Sequence, residues 1–194
     1  TEPSARVWAA EQTLPLMFIE GDSYSLSAGH NWLDYCARMM GYDYAADGVG
    51  GSGYMTASPA DPTSRLNVRL ANLSRKPDVI VFALGYNDSA SPQVSIGANA
   101  TSAINAAKAL CPQATIVVLG PWTPQGDTTN LTNTAVTLEA AANAAGVLYC
   151  SIRGMISMAN EAKYIGADNV HPLDSASHAY HAHVIAGRLM RLGL

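Results

Sequence analysis

Three short stretches of this sequence carry residue types that can do nucleophilic acyl chemistry on an ester. Gly21-Asp22-Ser23-Tyr24 places a serine just after an apolar run and just before a predicted helix. A hydroxyl there is well placed for nucleophilic attack. Its own amide, at a helix N-terminus, favours a developing oxyanion. The plainer alternative is that Ser23 only caps the helix. Asp168-Asn169-Val170-His171-Pro172 sets a carboxylate three residues before an imidazole, in a segment that Pro172 keeps from regular helix. A turn of that size brings Asp168 back onto the His171 Nδ1–H. That fixes the tautomer and leaves Nε2 free as a general base. Read alone, the same stretch is also a surface loop with an incidental histidine. Gly85-Tyr86-Asn87-Asp88 follows the most apolar run. There the Asn87 amide can aim into a crevice, or it can bond its own backbone as a turn residue.

Asp22 neighbours the serine, but a residue adjacent in the chain points elsewhere; it is expected to support the turn or the loop around Asn87. The glycines from Gly48 to Gly53 read as a tight turn that exposes a backbone N–H. They contain a G-x-G-x-x-G spacing, but it follows the second strand and opens no immediate helix. The lysine and the spacing of a P-loop are missing, which excludes that phosphate cradle.

Such residues need a scaffold that gathers distant loops. Short apolar runs alternate with helical stretches along the chain. Strands are predicted at 14–19, 43–46, 79–84, 115–119 and 147–150. Helices are predicted at 26–40, stopped by Gly41; at 63–73, started by Asp61-Pro62; and at 91–110, with Ser91 as N-cap and Pro92 as N1. Three more follow at 131–145, closed by Gly146; at 155–164; and at 175–192. Residues 79–84 and 115–119 are apolar on both faces, as in a parallel sheet covered on both sides. In such a sheet, ligands bind outside the carboxyl ends of the strands. Ser23, the glycine turn and Asn87 all fall in loops on that side. Tyr24, Tyr54, Tyr86 and Trp122 adjoin these loops. Their flat faces suit a sugar at an open cleft; packing of the loops against the sheet is the alternative.

Taken in order, Gly21-Asp22-Ser23, the glycine turn, Gly85-x-Asn87-Asp88 and Asp168-x-x-His171 resemble the four blocks of the SGNH hydrolases, also called the GDSL esterase/lipase family. The resemblance spans almost the whole chain. It implies a three-layer α/β/α fold around a flavodoxin-like, five-stranded parallel sheet. It implies Ser23 as nucleophile, His171 as general base and acid, and Asp168 as orienting carboxylate. The implied oxyanion hole is the Ser23 N–H, a glycine N–H and the Asn87 side-chain amide, with Gly51 the first choice of glycine and Gly53 the second. The family often has Leu after the serine, where this chain has Tyr24. It often has Gly-His after the last block, where this chain has Ser177-His178. The expected activity is a serine esterase acting on short acyl esters, foremost acetyl on carbohydrate. The competing readings are a sugar O-acyltransferase and a non-catalytic glycan-binding module. No cofactor and no metal are expected. His178 and His181 share a helix face but have no third ligand nearby, and His30 reads as an ordinary helix residue.

Composition agrees with one domain over 1–194. Apolar residues make up 48% of the 194, enough for a sizeable core. The net charge is −4, so no basic field exists to hold nucleic acid or an anionic membrane. No apolar run is long enough to span a bilayer. Charged residues are 13%, against the ~25% typical of soluble domains. That is a mild pointer to an extracellular or particle-associated setting. The opening Thr1-Glu2-Pro3-Ser4 reads as a mature or excised domain rather than a signal peptide, with a longer parent polypeptide left open. The partner expected is a small or polymeric ester. Cys36, Cys111 and Cys150 are expected to be free and buried, with no Cys111–Cys150 bridge. Asn72, Asn87, Asn99 and Asn130 open Asn-x-Ser/Thr sequons, and a glycan on Asn87 would consume the amide the site needs.

Overall fold

The computed structural model describes residues 13–26, 31–56 and 61–194. An interior strand of its sheet, β1 (Leu16–Gly21), has all six residues buried. Two flanking strands cover its edges. β2 (Asp43–Gly48) pairs on one side and β3 (Val79–Ala83) on the other, followed outward by β4 (Thr115–Leu119) and β5 (Leu148–Cys150). The order is β2-β1-β3-β4-β5 and every pairing is parallel. This is the expected five-stranded arrangement. The chain leaves β1 in one direction and returns to β3 in the other, so the carboxyl end of β1 lies at the point where strand order reverses.

Alternate strand residues feed opposite cores, as a period of two requires. Met17, Ile19, Val79, Val81, Val117 and Leu119 pack with α1 (Trp32–Met40) and α6 (Ser175–Arg191). Phe18, Ile80, Phe82, Ile116 and Val118 pack with α2 (Pro62–Ala71), α3 (Gln93–Leu110) and α4 (Thr129–Ala145). Each fully buried Leu or Ile contributes roughly 1.5–3 kcal/mol. Helix ends follow sequence chemistry. Gly41 and Gly146 take left-handed backbone and close α1 and α4. Asp61 caps α2 through the Ser64 N–H.

Three expectations need correction. Residues 155–164 are mostly turns, and only α5 (Glu161–Tyr164) is helical. Ser91 does not cap α3: Pro92 is the N-cap, and no side chain caps that end. Leu26 lies before α1, which begins at Trp32 after Asn31 caps it; residues 27–30, with His30, lie outside the described residues. The three cysteines are free and buried.

A charge cluster is buried at the carboxyl ends of β1 and β2. Arg65 Nη2 lies 2.7 Å from Glu20 Oε1 and donates to the carbonyls of Gly21 at 2.9 Å and Asp47 at 2.8 Å. Its Nε reaches Asp47 Oδ2 at 3.1 Å, and Arg69 Nε reaches Asp47 Oδ1 at 2.8 Å. One guanidinium therefore ties together the two strand ends that carry the serine loop and the glycine loop.

Candidate active site

The serine loop is built by Asp22. Its Oδ1 accepts the Tyr24 N–H at 3.0 Å, and its carbonyl accepts the Ser25 N–H at 3.0 Å. This closes a single 3-10 turn over Ser23–Ser25 with Asp22, not Ser23, as its cap. Asp22 thus supports the turn, as expected of it. The turn is too short to supply the macrodipole of a long helix. The Ser23 N–H donates no hydrogen bond among the described residues.

The second part of the site comes from residues 165–173. Ile165 bridges Pro172, and the Gly166 N–H bonds the His171 carbonyl at 2.8 Å. Asn169 takes φ +59, which tightens the loop. Asp168 Oδ1 accepts the Val170 and His171 N–H groups, each at 3.0 Å, leaving Oδ2 to meet His171 Nδ1 at 2.7 Å. These three hydrogen bonds, the imidazole's foremost, hold the Asp168 carboxyl down at about 2. Across the crevice, His171 Nε2 lies 2.8 Å from Ser23 Oγ. Residues 148 positions apart are joined because β1 ends beside this loop. Tyr24 secures the join. Its hydroxyl donates to the Val170 carbonyl, and its ring lies 5.3 Å from the His171 ring.

The third part is the glycine loop. The Val49 N–H bonds the Gly21 carbonyl at 3.1 Å, anchoring it to β1. The Ser52 N–H closes a turn onto the Val49 carbonyl at 3.1 Å, with Gly51 at φ +72. The Gly51 N–H donates no hydrogen bond among the described residues, whereas the Gly53 N–H is engaged by the Thr56 carbonyl at 2.9 Å. Asn87 Nδ2 donates to the Ser52 carbonyl at 2.8 Å. One of its two amide hydrogens is so fixed, and the other is not committed.

The order of that loop rests on Asp88, whose part no spacing rule suggests. Its fully buried carboxylate accepts the N–H groups of Tyr54 at 2.6 Å, Met55 at 2.9 Å and Thr56 at 3.1 Å. A methyl on Gly53 would lie 2.3 Å from Asp88 Oδ1. Gly53 is therefore a packing requirement. The partners are more than thirty residues apart, so the sequence showed only a loop acid and a loop glycine.

Three of the four aromatic expectations are corrected. Tyr24, Tyr54 and Trp122 are 2%, 1% and 1% exposed, so none presents a face to a ligand. Tyr24 stacks on Trp122 with centroids 4.5 Å apart, and Trp122 packs edge-on against Trp32 and His181. Tyr54 lies in the opposite core near Phe82. Flat rings beside a parallel sheet bury more apolar area inward than a cleft allows. Tyr86 alone of the four is half-exposed and lines an open trough. His181 is also buried, with Nδ1 2.7 Å from the Ser177 carbonyl. Burial lowers it to about 4, so it is a neutral packing residue.

The solved structures with this fold include a carbohydrate esterase family 2 enzyme from Corynascus thermopiles (Myceliophthora fergusii). It is 17% identical, with TM-score 0.73, over 97% of this chain and 69% of that one. The psychrotrophic esterase EstA from Pseudoalteromonas sp. is 15% identical, with TM-score 0.71, over 91% and 97%. The acetyl-xylooligosaccharide esterase Axe2 from Geobacillus Stearmophilus is 15% identical, with TM-score 0.70, over 91% and 94%. Curated protein sequences give no match. The fold is thus that of the three-layer esterases. The family model of the GDSL-like Lipase/Acylhydrolases matches residues 19–178, and the chain belongs to that family of carboxylic-ester hydrolases.

Proposed function

We propose that this chain is a serine esterase that removes short acyl groups, foremost acetyl, from carbohydrate. The observation that carries the reading is the relay in which Ser23 Oγ, His171 and Asp168 are joined by contacts of 2.8 and 2.7 Å. In this reading Ser23 Oγ attacks the ester carbonyl while His171 Nε2 takes its proton. The charge on His171 is balanced by Asp168, which stays ionised. The tetrahedral oxyanion is met by the Ser23 and Gly51 N–H groups and by the uncommitted Asn87 amide hydrogen. His171 returns the proton to the departing alcohol oxygen. Water activated at the same nitrogen then cleaves the acyl-enzyme to release the acid. The carbohydrate part is supported by two similar structures, a carbohydrate esterase and an acetyl-xylooligosaccharide esterase. It is also supported by the uncharged polar lining beside Asn87.

Hydrolysis of p-nitrophenyl acetate, butyrate and octanoate and of acetylated oligosaccharides tests it. The expected order favours acetyl. Ser23→Ala and His171→Ala should each lower kcat by about 10⁴-fold or more. Asp168→Asn should cost up to about 10⁴-fold through the wrong imidazole tautomer. Asn87→Ala should cost about 10²–10³-fold in kcat with little change in KM. Full activity in Ser23→Ala would overturn the reading.

A further inference from the structure

An open trough of about 650 Å³ is lined by residues of three chain segments, and Asn87 is among them. Tyr86, Asn87 and Ser89 form one wall, Gln125 another, and Thr129 and Asn130 at the start of α4 the third. Its size lies within the ~300–1,000 Å³ usual for ligand sites. Two features say which half of an ester it faces. Asn87 belongs to the reacting centre, so the trough adjoins the carbonyl under attack. Gln125 Nε2 donates to the Asn169 carbonyl at 3.2 Å, so the second wall is fastened to the loop that carries His171. Of the two halves of an ester, the departing alcohol is the one that must lie on the side of the imidazole that returns its proton.

The lining says which alcohol. It offers side-chain amides, hydroxyls and one half-buried tyrosine ring beside Pro124 and Leu131, and no lining residue is charged. Amides and hydroxyls suit the alternating donors and acceptors of a sugar, and the ring suits its apolar face. No lysine or arginine lines the trough to hold a phosphate or a carboxylate. Nearby, Arg153 Nε is taken by Asp127 at 3.2 Å, and Asp168 adds a negative charge on the far side of Asn169. An anionic sugar would meet repulsion without a counter-ion.

We infer that this trough is the subsite for the leaving alcohol and that it takes a neutral, hydroxyl-rich glycan in preference to a uronate-bearing one. The inference rests on the esterase reading above, and the experiment separates the two. The wild-type chain is assayed on methyl acetate, on acetylated xylo-oligosaccharide and on acetylated oligogalacturonate. Asn130→Trp is assayed on the first two. The expected result is at least tenfold higher kcat/KM for the neutral than for the anionic oligosaccharide. In Asn130→Trp, the ratio of kcat/KM on xylo-oligosaccharide to that on methyl acetate should fall at least tenfold. A second measurement needs no variant: deacetylated xylo-oligosaccharide should inhibit methyl acetate hydrolysis competitively, and oligogalacturonate should not. Equal use of both oligosaccharides, an unchanged ratio in Asn130→Trp, or no inhibition by the neutral product would overturn the subsite while leaving the esterase intact. A wild-type chain inert on every ester would overturn the esterase itself.

Discussion

Tyr24 does more at its position than the leucine common in the family could. Its ring stacks on Trp122, its carbonyl accepts the Trp32 indole N–H at 3.0 Å, and its hydroxyl holds the Val170 carbonyl. The serine turn and the histidine loop are thereby joined twice, once through the Ser23–His171 contact and once beside it. Tyr24→Phe keeps the stack and removes only the second link. A neutral hydrogen bond is worth about 0.5–1.5 kcal/mol, so kcat should fall by up to about tenfold with KM little changed. A thermal melt should show the fold retained. Gly53→Ala is the harsher change. The new methyl must displace the Asp88 carboxylate, which releases three backbone N–H groups and shifts the neighbouring Asn87. A loss of about 1–3 kcal/mol in stability is expected from overpacking alone, with activity falling alongside. The denaturation midpoint and kcat, measured on one preparation, check both. The Asp168–His171 pair was legible in the sequence because its turn is local. The Gly53–Asp88 contact was not, since only the folded sheet brings those loops together.

At the scale of elements, the buried charges at the ends of β1 and β2 govern how stability answers to pH. Burial pushes the Glu20 carboxyl up from its ordinary 4.5 to about 8, against the pull of Arg65. Burial likewise raises Asp22 from 3.8 to about 7. Between those limits the unfolded chain has released protons that the folded chain still holds. Stability therefore falls as pH rises from about 4 to 8. Asp168 acts in the opposite sense, since its lowered carboxyl favours folding until pH drops toward 2. Urea midpoints at pH 5, 6.5 and 8 should decline in the wild type and decline less in Glu20→Gln; parallel declines would show that Glu20 is not the source. Arg65→Met should cost about 3–5 kcal/mol, because it takes the counter-charge from the buried Asp47 carboxylate and the donor from the Gly21 and Asp47 carbonyls, and the same urea series measures it. The strands themselves were legible, since those buried on both faces read as unbroken apolar runs. Residues 155–164 misled because Met155 and Ile156 are buried from turns, and burial alone carries no period.

At the scale of the whole molecule, five parallel strands bring four loops to one edge, and every residue of the proposed chemistry comes from those loops or from the segment before α6. The order of blocks along the chain made that gathering readable before any coordinates. What patterning could not show was which aromatics faced outward, because inward and outward rings have the same spacing from a strand end. Asn130 belongs to both descriptions of this molecule: it stands at the rim of the trough, and it opens an Asn-Leu-Thr tripeptide. The choice of expression host thus bears on what an assay reports. Material secreted from yeast with an oligomannose tree at that position would still cleave the smallest esters yet lose the polymeric ones, and trimming the tree with an endoglycosidase would give them back.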